Sequence, residues 1–264
     1  MRVLISCSKS KKIVPNKNLV WTDGATTTGW LESLDNSVLP RLHPKEMYIG
    51  RAVQEQVKII ESYNQEVWFI SAGLGILNGG PGAPIIPSYE ASFSVKGAGP
   101  SFKQWTEMHS SSIAKLASKT RILLLIPKPY LRALEPSIVP FAKKIITFDR
   151  SSILVENGAR VIDLHPRIRE VLQCAASDYW TEILRLVLPE EGKSKELKEL
   201  NRKASELPER MANPRVSDSD LLQIIRSLPE SVTSAQKAVR HIRDVENIAA
   251  SQERISYFWK MRSD

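Results

Sequence analysis

The feature that most constrains this chain is an alternation. Short apolar runs ending in small or polar residues take turns with longer segments of helical period. Runs at residues 3–5, 67–73 (VWFISAG), 121–126 (RILLLI), 144–148 and 159–164 read as strands. Segments 45–63, 102–116, 131–139 and 165–188 read as helices. A short, continuously apolar strand is buried on both faces, which is the mark of a parallel sheet covered by helices. The expected fold is therefore α/β, with a mostly parallel sheet flanked by helices.

In such sheets ligands bind beyond the carboxyl ends of the strands. Three loops are expected at that edge: CSKSKK (7–12), SAGLGI (71–76) with its Gly- and Pro-rich continuation to Phe93, and IPKPY (126–130). In the first, Ser8 and Ser10 offer hydroxyls, Lys9 and Lys11 offer positive charge, and main-chain N–H groups are expected to form an anion-binding nest. Cys7 is either a small packing residue or a nucleophile activated by a basic neighbour. In the second loop Gly73 and Gly75 let the main chain approach a ligand. Tyr89 is expected either to stack on a base or to pack as core, Phe93 to wall the pocket, and Glu90 to accept from an amino group or activate a water. The other acids are Asp23, in the polar stretch 14–41 read as a long loop, and Asp149 and Asp163, beside later strands. Asp23 and Glu90 are the preferred catalytic pair. The three loops and Asp23 are expected to close one pocket. No metal-ligand spacing occurs, and neither a metal nor another cofactor is expected.

The 264 residues carry 37 Lys+Arg against 29 Asp+Glu, a formal net charge of +8 that favours a polyanionic partner. Two cysteines, Cys7 and Cys174, exclude a disulfide scaffold. The apolar start is too short for a signal peptide and no run would span a bilayer, so the expected location is the cytoplasm, with no membrane partner. After Pro189 the texture changes. Residues 1–189 read as the α/β core, and 190–264 as a charged linker or exposed helix followed by a small helical unit. There, segments 218–227 and 234–258 have helical period, and Arg240, Arg243 and Arg254 are expected to grip nucleic-acid phosphates.

LISCSKSKK, WFISAGLGIL and PSYEASF together resemble an α/β superfamily that includes the peroxide-stress YaaA-like proteins. They also resemble the glycosylase-like domain of archaeal tRNA-guanine transglycosylase relatives, whose fold is similar to that of uracil-DNA glycosylases, and more distantly antiviral DNA glycosylases that attack modified phage cytosines. By position, Cys7 to Lys11 match the first motif, and Ser71, Ala72, Leu74, Gly75 and Ile76 the second. Tyr89 matches the aromatic of a Pro-Tyr-Asp-like element, with Ser88 intervening after Pro87 and Glu90 in place of the acid. The tail resembles a small module found beside such domains, with Ile255 departing from its pattern. The resemblance implies a uracil-DNA glycosylase-like fold and hydrolysis of the N-glycosidic bond of a flipped, modified base. It implies double-stranded DNA as partner, with antiviral defence or DNA damage as the setting. The water-activating motif of uracil-DNA glycosylases is missing, which points the substrate away from uracil. The alternative function is a non-catalytic DNA-binding or stress-response protein.

Overall fold

A computed structural model describes the chain apart from residues 16, 94–96, 118–119, 190–192, 209–213 and 264, and apart from the side chains of 107–111, 114 and 263. It divides into two compact units, Met1–Glu206 and Leu207–Asp264.

In chain order the first unit contains β1 (Arg2–Ser6), α1 (Thr27–Asp35), α2 (Pro44–Met47), α3 (Arg51–Ser62), β2 (Glu66–Ser71), β3 (Gly75–Asn78), α4 (Phe102–Ala117), β4 (Ile122–Leu125), α5 (Lys128–Ile138), β5 (Ile145–Thr147), α6 (Ile153–Glu156), β6 (Arg160–Val161), α7 (Ile168–Leu172), α8 (Tyr179–Val187) and α9 (Lys195–Ser205). The sheet order is β3-β2-β1-β4-β5-β6. All neighbours are parallel except β2 and β3. Successive side chains of a strand point to opposite faces, and here both faces are covered. Val3, Ile5, Phe69 and Leu123 pack with Val57, Ile60, Ile183 and Leu184 of α3 and α8. Leu4, Ile70, Ile122 and Leu124 pack with Ile113, Leu116, Leu134 and Ile138 of α4 and α5. The expected α/β architecture, with its five parallel strands, is present.

The helices expected at 45–63 and 165–188 are each two, α2 with α3 and α7 with α8, the second pair parted where Gln173 takes φ +51°. Three further elements differ from the sequence expectation. The first is α1, inside the segment read as a loop. Thr26 caps it by accepting from the Gly29 N–H at 3.2 Å, and Trp30 and Leu34, four residues apart, are buried. Its threonines and glycine have weak helix propensity, so tertiary burial decides. The second is β3. Gly75, at φ +70°, reverses the chain so that Ile76 and Leu77 return antiparallel along β2. Ile76 faces one core and Leu77 the other, so no alternation of polar and apolar residues betrays the strand. The third is α9, in the stretch read as linker or exposed helix. Its Leu197 and Ala204 are buried in the first unit's core, and Asn201 donates to the Asp163 carbonyl at 2.9 Å and accepts from the His165 N–H at 2.7 Å. The boundary therefore falls after Glu206 rather than after Pro189.

The second unit holds α10 (Asp218–Arg226), α11 (Ala235–Asp244) and α12 (Gln252–Lys260). Each starts on a serine whose hydroxyl accepts a main-chain N–H: Ser217, Ser234 and Ser251. The segment 234–258, read as one pattern, breaks into two helices where Asn247 adopts φ +55°. Leu221, Ile225, Ala238, Ile242 and Ile255 form the core of this unit.

Candidate binding pocket at the centre of the sheet

Strand β1 has β2 on one side and β4 on the other, so the strand order reverses between β1 and β4. Side chains and loops part at such a point and leave a crevice at the carboxyl ends of the strands. A cavity of about 420 Å³ lies there, lined by Cys7, Ser8, Lys9 and Lys11 after β1, Tyr89 and Glu90 from the second loop, and Pro127 and Tyr130 after β4. All three expected loops contribute to it.

The loop after β1 is held from below. Cys7 N–H donates to the Ile70 carbonyl at 3.0 Å, Ser10 N–H to Ser8 Oγ at 3.0 Å, and Lys12 N–H to the Met47 carbonyl at 2.9 Å. The N–H groups of Cys7, Ser10 and Lys12 are thus satisfied within the protein. Gly50 is required opposite, because a Cβ there would lie 2.2 Å from Ser8 Oγ. Ser10 is exposed and outside the lining, while Lys9 projects at the mouth.

Tyr89 takes the second of its two expected roles, a packed core residue. Its ring is 1% exposed, which leaves no face for a stacked base. Trp30 meets it edge-on at 6.3 Å, and a Cβ on Gly73 would come within 2.9 Å of it. The Lys11 ammonium lies 4.9 Å from the ring centroid, a cation–π contact. The Tyr89 hydroxyl bonds Tyr48 Oη at 2.6 Å and also Ser71 Oγ, which accepts from the N–H groups of Gly73 and Leu74 at 3.2 Å. Tyr89 is thus the floor of the cavity. Gly73 and Gly75 serve packing and the β2–β3 reversal, and Ser71 anchors the floor.

Asp23 and Phe93 are placed elsewhere. Asp23 lines a neighbouring open cavity of about 600 Å³ with Trp21, Phe93 and Phe102, and Ser92 borders both cavities. Phe93 stacks edge-on with Phe102, Trp105 and Tyr130, at 5.0 Å from the last. The aromatic wall of the first cavity is therefore Tyr130. Its signal was legible in IPKPY, a tyrosine just after a buried strand, yet Tyr89 drew the assignment.

The electrostatics follow from burial. Desolvation pushes the Cys7 thiol up, against the lowering influence of Lys11 and of hydrogen bonds from Tyr130, Ser71 and Tyr89. Burial thus favours the protonated thiol at Cys7, which packs against the core and also lines the cavity. Desolvation also drives Tyr48 and Tyr89 well above the ordinary phenol range, and Tyr130 above it with help from Cys7. Lys11 is pulled down by burial and partly restored by Cys7 and Glu90. Among the described residues it makes no ion pair. Glu90 is exposed, and its main chain is fixed by exchange with the 19–21 segment: Glu90 N–H to Leu19 O at 2.7 Å, and Trp21 N–H to Glu90 O at 2.8 Å. The cavity therefore offers two cations, Lys11 inside and Lys9 at the mouth, one solvent-facing carboxylate, and the Tyr130 phenol, which keeps its proton.

The tail arginines divide. Arg243 donates twice to the Ala250 carbonyl, at 3.2 and 3.0 Å. Arg254 reaches Asp218 and the Val216 carbonyl, the latter at 3.2 Å. Both tie their own unit together, whereas Arg240 is exposed. Among the described residues no helix is long and apolar enough to cross a membrane, and no three His, Cys, Asp or Glu side chains gather as a metal site. No family model, curated protein or solved structure matches this chain.

Proposed function

We propose that the first unit hydrolyses the N-glycosidic bond of a modified base in DNA, the base being extruded from a double strand into the cavity between β1 and β4. The observation that carries this reading is the composition of that cavity: a space of about 420 Å³, roomy enough for a nucleobase with a bulky substituent, holding Lys11, Tyr130 and Glu90 where an α/β sheet binds its ligand. The strand order and the motif resemblance support a uracil-DNA glycosylase-like fold and, with it, a modified cytosine as the base and antiviral defence as the setting.

The chemistry assigns each group a task. When the C1′–N bond breaks, its electron pair leaves with the base and the sugar carbon becomes cationic. The Lys11 ammonium and the Tyr130 hydroxyl stabilise charge on the departing base. Burial and Cys7 keep the Tyr130 proton in place, and the hydroxyl turns from Cys7 to donate to the base. The Glu90 carboxylate faces the cationic sugar, orients a water, and takes its proton as the oxygen bonds C1′. Asp23, outside this cavity, has no part in the step.

Incubation with oligonucleotides carrying cytosine, hydroxymethylcytosine or glucosylated cytosine, followed by alkaline cleavage, tests the proposal. Alkali-labile sites at one modified base are the expected result. Salt-sensitive binding with every base retained would favour the non-catalytic alternative.

A further inference from the structure

A second cavity, of about 310 Å³, opens one strand further along the same edge. Its lining includes Ile126 and Pro127 after β4, Lys128 at the start of α5, Phe148 and Asp149 after β5, and Trp180 of α8. Phe148 and Trp180 stand 5.3 Å apart, tilted by 57°, and Tyr179 backs Trp180 at 4.9 Å. Trp180 keeps 38% of its surface exposed, so unlike Tyr89 it has a face to offer.

The polar rim is built around Asp149. Its Oδ1 accepts from the Ser151 N–H at 2.9 Å and the Ser151 hydroxyl at 2.6 Å, while Oδ2 faces Lys128 Nζ at 3.5 Å. Those bonds hold the carboxyl below its ordinary range, so it is an acceptor. Pro127 borders both this cavity and the one between β1 and β4, and it is the residue from which α5 starts. The positive end of α5 and Lys128 thus lie where the two cavities adjoin.

We infer that this second cavity holds the nucleobase adjacent to the one in the first cavity, its ring on Trp180 and Phe148, its exocyclic amino group on Asp149, and the intervening phosphate beside Lys128 at the start of α5. The inference rests on reading the first cavity as a nucleotide site, and it makes the ligand a strand rather than a free nucleoside. An aromatic face accepts any base. A carboxylate acceptor prefers one with an amino group, as it does in accepting from the N4 of cytosine. Thymine offers Asp149 no amino donor.

Equilibrium binding to the full-length protein, using dCMP, d(CpC) and d(TpT) as probes, tests this. We expect d(CpC) to bind at least ~10-fold more tightly than dCMP. Trp180→Ala should erase that gain while dCMP affinity holds. Asp149→Asn, which retains the Ser151 turn, should cut the preference for d(CpC) over d(TpT) by ~3–10-fold. Lys128→Gln serves as a second variant, at an exposed side chain, and should weaken d(CpC) without touching dCMP. Equal affinities for d(CpC) and dCMP, a gain that survives Trp180→Ala in a folded variant, or no binding of any probe would overturn the inference. The reading of the first cavity fails separately. In that case Lys11→Gln leaves all three affinities unchanged, while the dependence on Trp180 persists.

Discussion

The lysine at the sheet edge and the arginines of the second unit look alike in sequence and behave differently in the fold. Lys11 sits over an aromatic floor inside a cavity, with no ion pair among the described residues. Arg243 and Arg254, on helices with more basic than acidic residues, are held by a carbonyl and a carboxylate of their own unit. A lysine that rests on a ring and has no ion pair among the described residues, partly stripped of water, is open to an anionic ligand. A guanidinium already bonded to its own backbone would have to give up that contact first. Charge density along a helix is therefore a poor guide to which cations stay open to a ligand.

The sharpest test of this contrast is the carboxylate that shares the Lys11 cavity. Glu90→Gln should lower base release by roughly 10²–10⁴-fold with DNA affinity largely kept, measured by single-turnover assay and fluorescence anisotropy. Asp23→Asn should leave both rates alike. If the two effects were exchanged, the catalytic site would move to the neighbouring cavity.

Alkaline pH separates the units next. The folded first unit favours the protonated forms of Cys7, Tyr48, Tyr89 and Tyr130, whose ordinary values are 9.0 for the thiol and 10.0 for the phenols. Their folded values are raised, so this stabilisation is complete below the unfolded values and is lost as the pH climbs past them. Each such group steepens the loss by about 1.4 kcal/mol per pH unit. Lys11, with a lowered folded value, acts in the opposite direction and offsets part of the slope. Urea denaturation followed from pH 8 to 11 should show the first unit weakening. In the second unit, Leu221, Ile225 and Ile242 form an aliphatic core, and its midpoint should move much less. Equal slopes for both units would break the comparison.

Tyr89→Phe probes the floor itself. It leaves the Tyr48 hydroxyl and Ser71 Oγ without their shared partner, at a cost of about 1–3 kcal/mol in the stability of the first unit. If Tyr89 were instead a base-stacking residue, the phenylalanine would be silent in stability and binding alike.

The smallest effects lie in the tail. Arg243→Ala or Arg254→Ala should cost about 1 kcal/mol in the stability of the second unit. Arg240→Ala should leave the melting midpoint in place. If the unit binds DNA, it should also lower the salt slope of binding by about one counterion. A reversed ranking, with Arg240 structural and Arg243 felt only in binding, would restore the expectation drawn from charge alone.

Sequence by itself determined the architecture, because burial of a parallel strand on both faces demands an uninterrupted apolar run, and such runs stand out at residues 3–5, 67–70 and 122–125. It also determined that the loops after them would share one edge, since parallel strands carry their carboxyl ends together. Only the tertiary structure decided what each loop residue does there. Tyr89 and Tyr130 are both tyrosines near strand ends. One is sealed by Trp30, Lys11 and a glycine that leaves room for its ring, and the other remains at the cavity wall. Asp23 and Glu90 are both acids in polar loops, yet the pairing of Glu90 with residues 19–21 fixes one beside Lys11, and the turn after Trp21 carries the other into the next cavity. Strand β3 and helix α1 stayed hidden for the same reason. Their stability comes from partners distant in sequence, β2 for the one and the Trp30–Gly73 hydrogen bond of 2.7 Å for the other, and local propensity carries no trace of either.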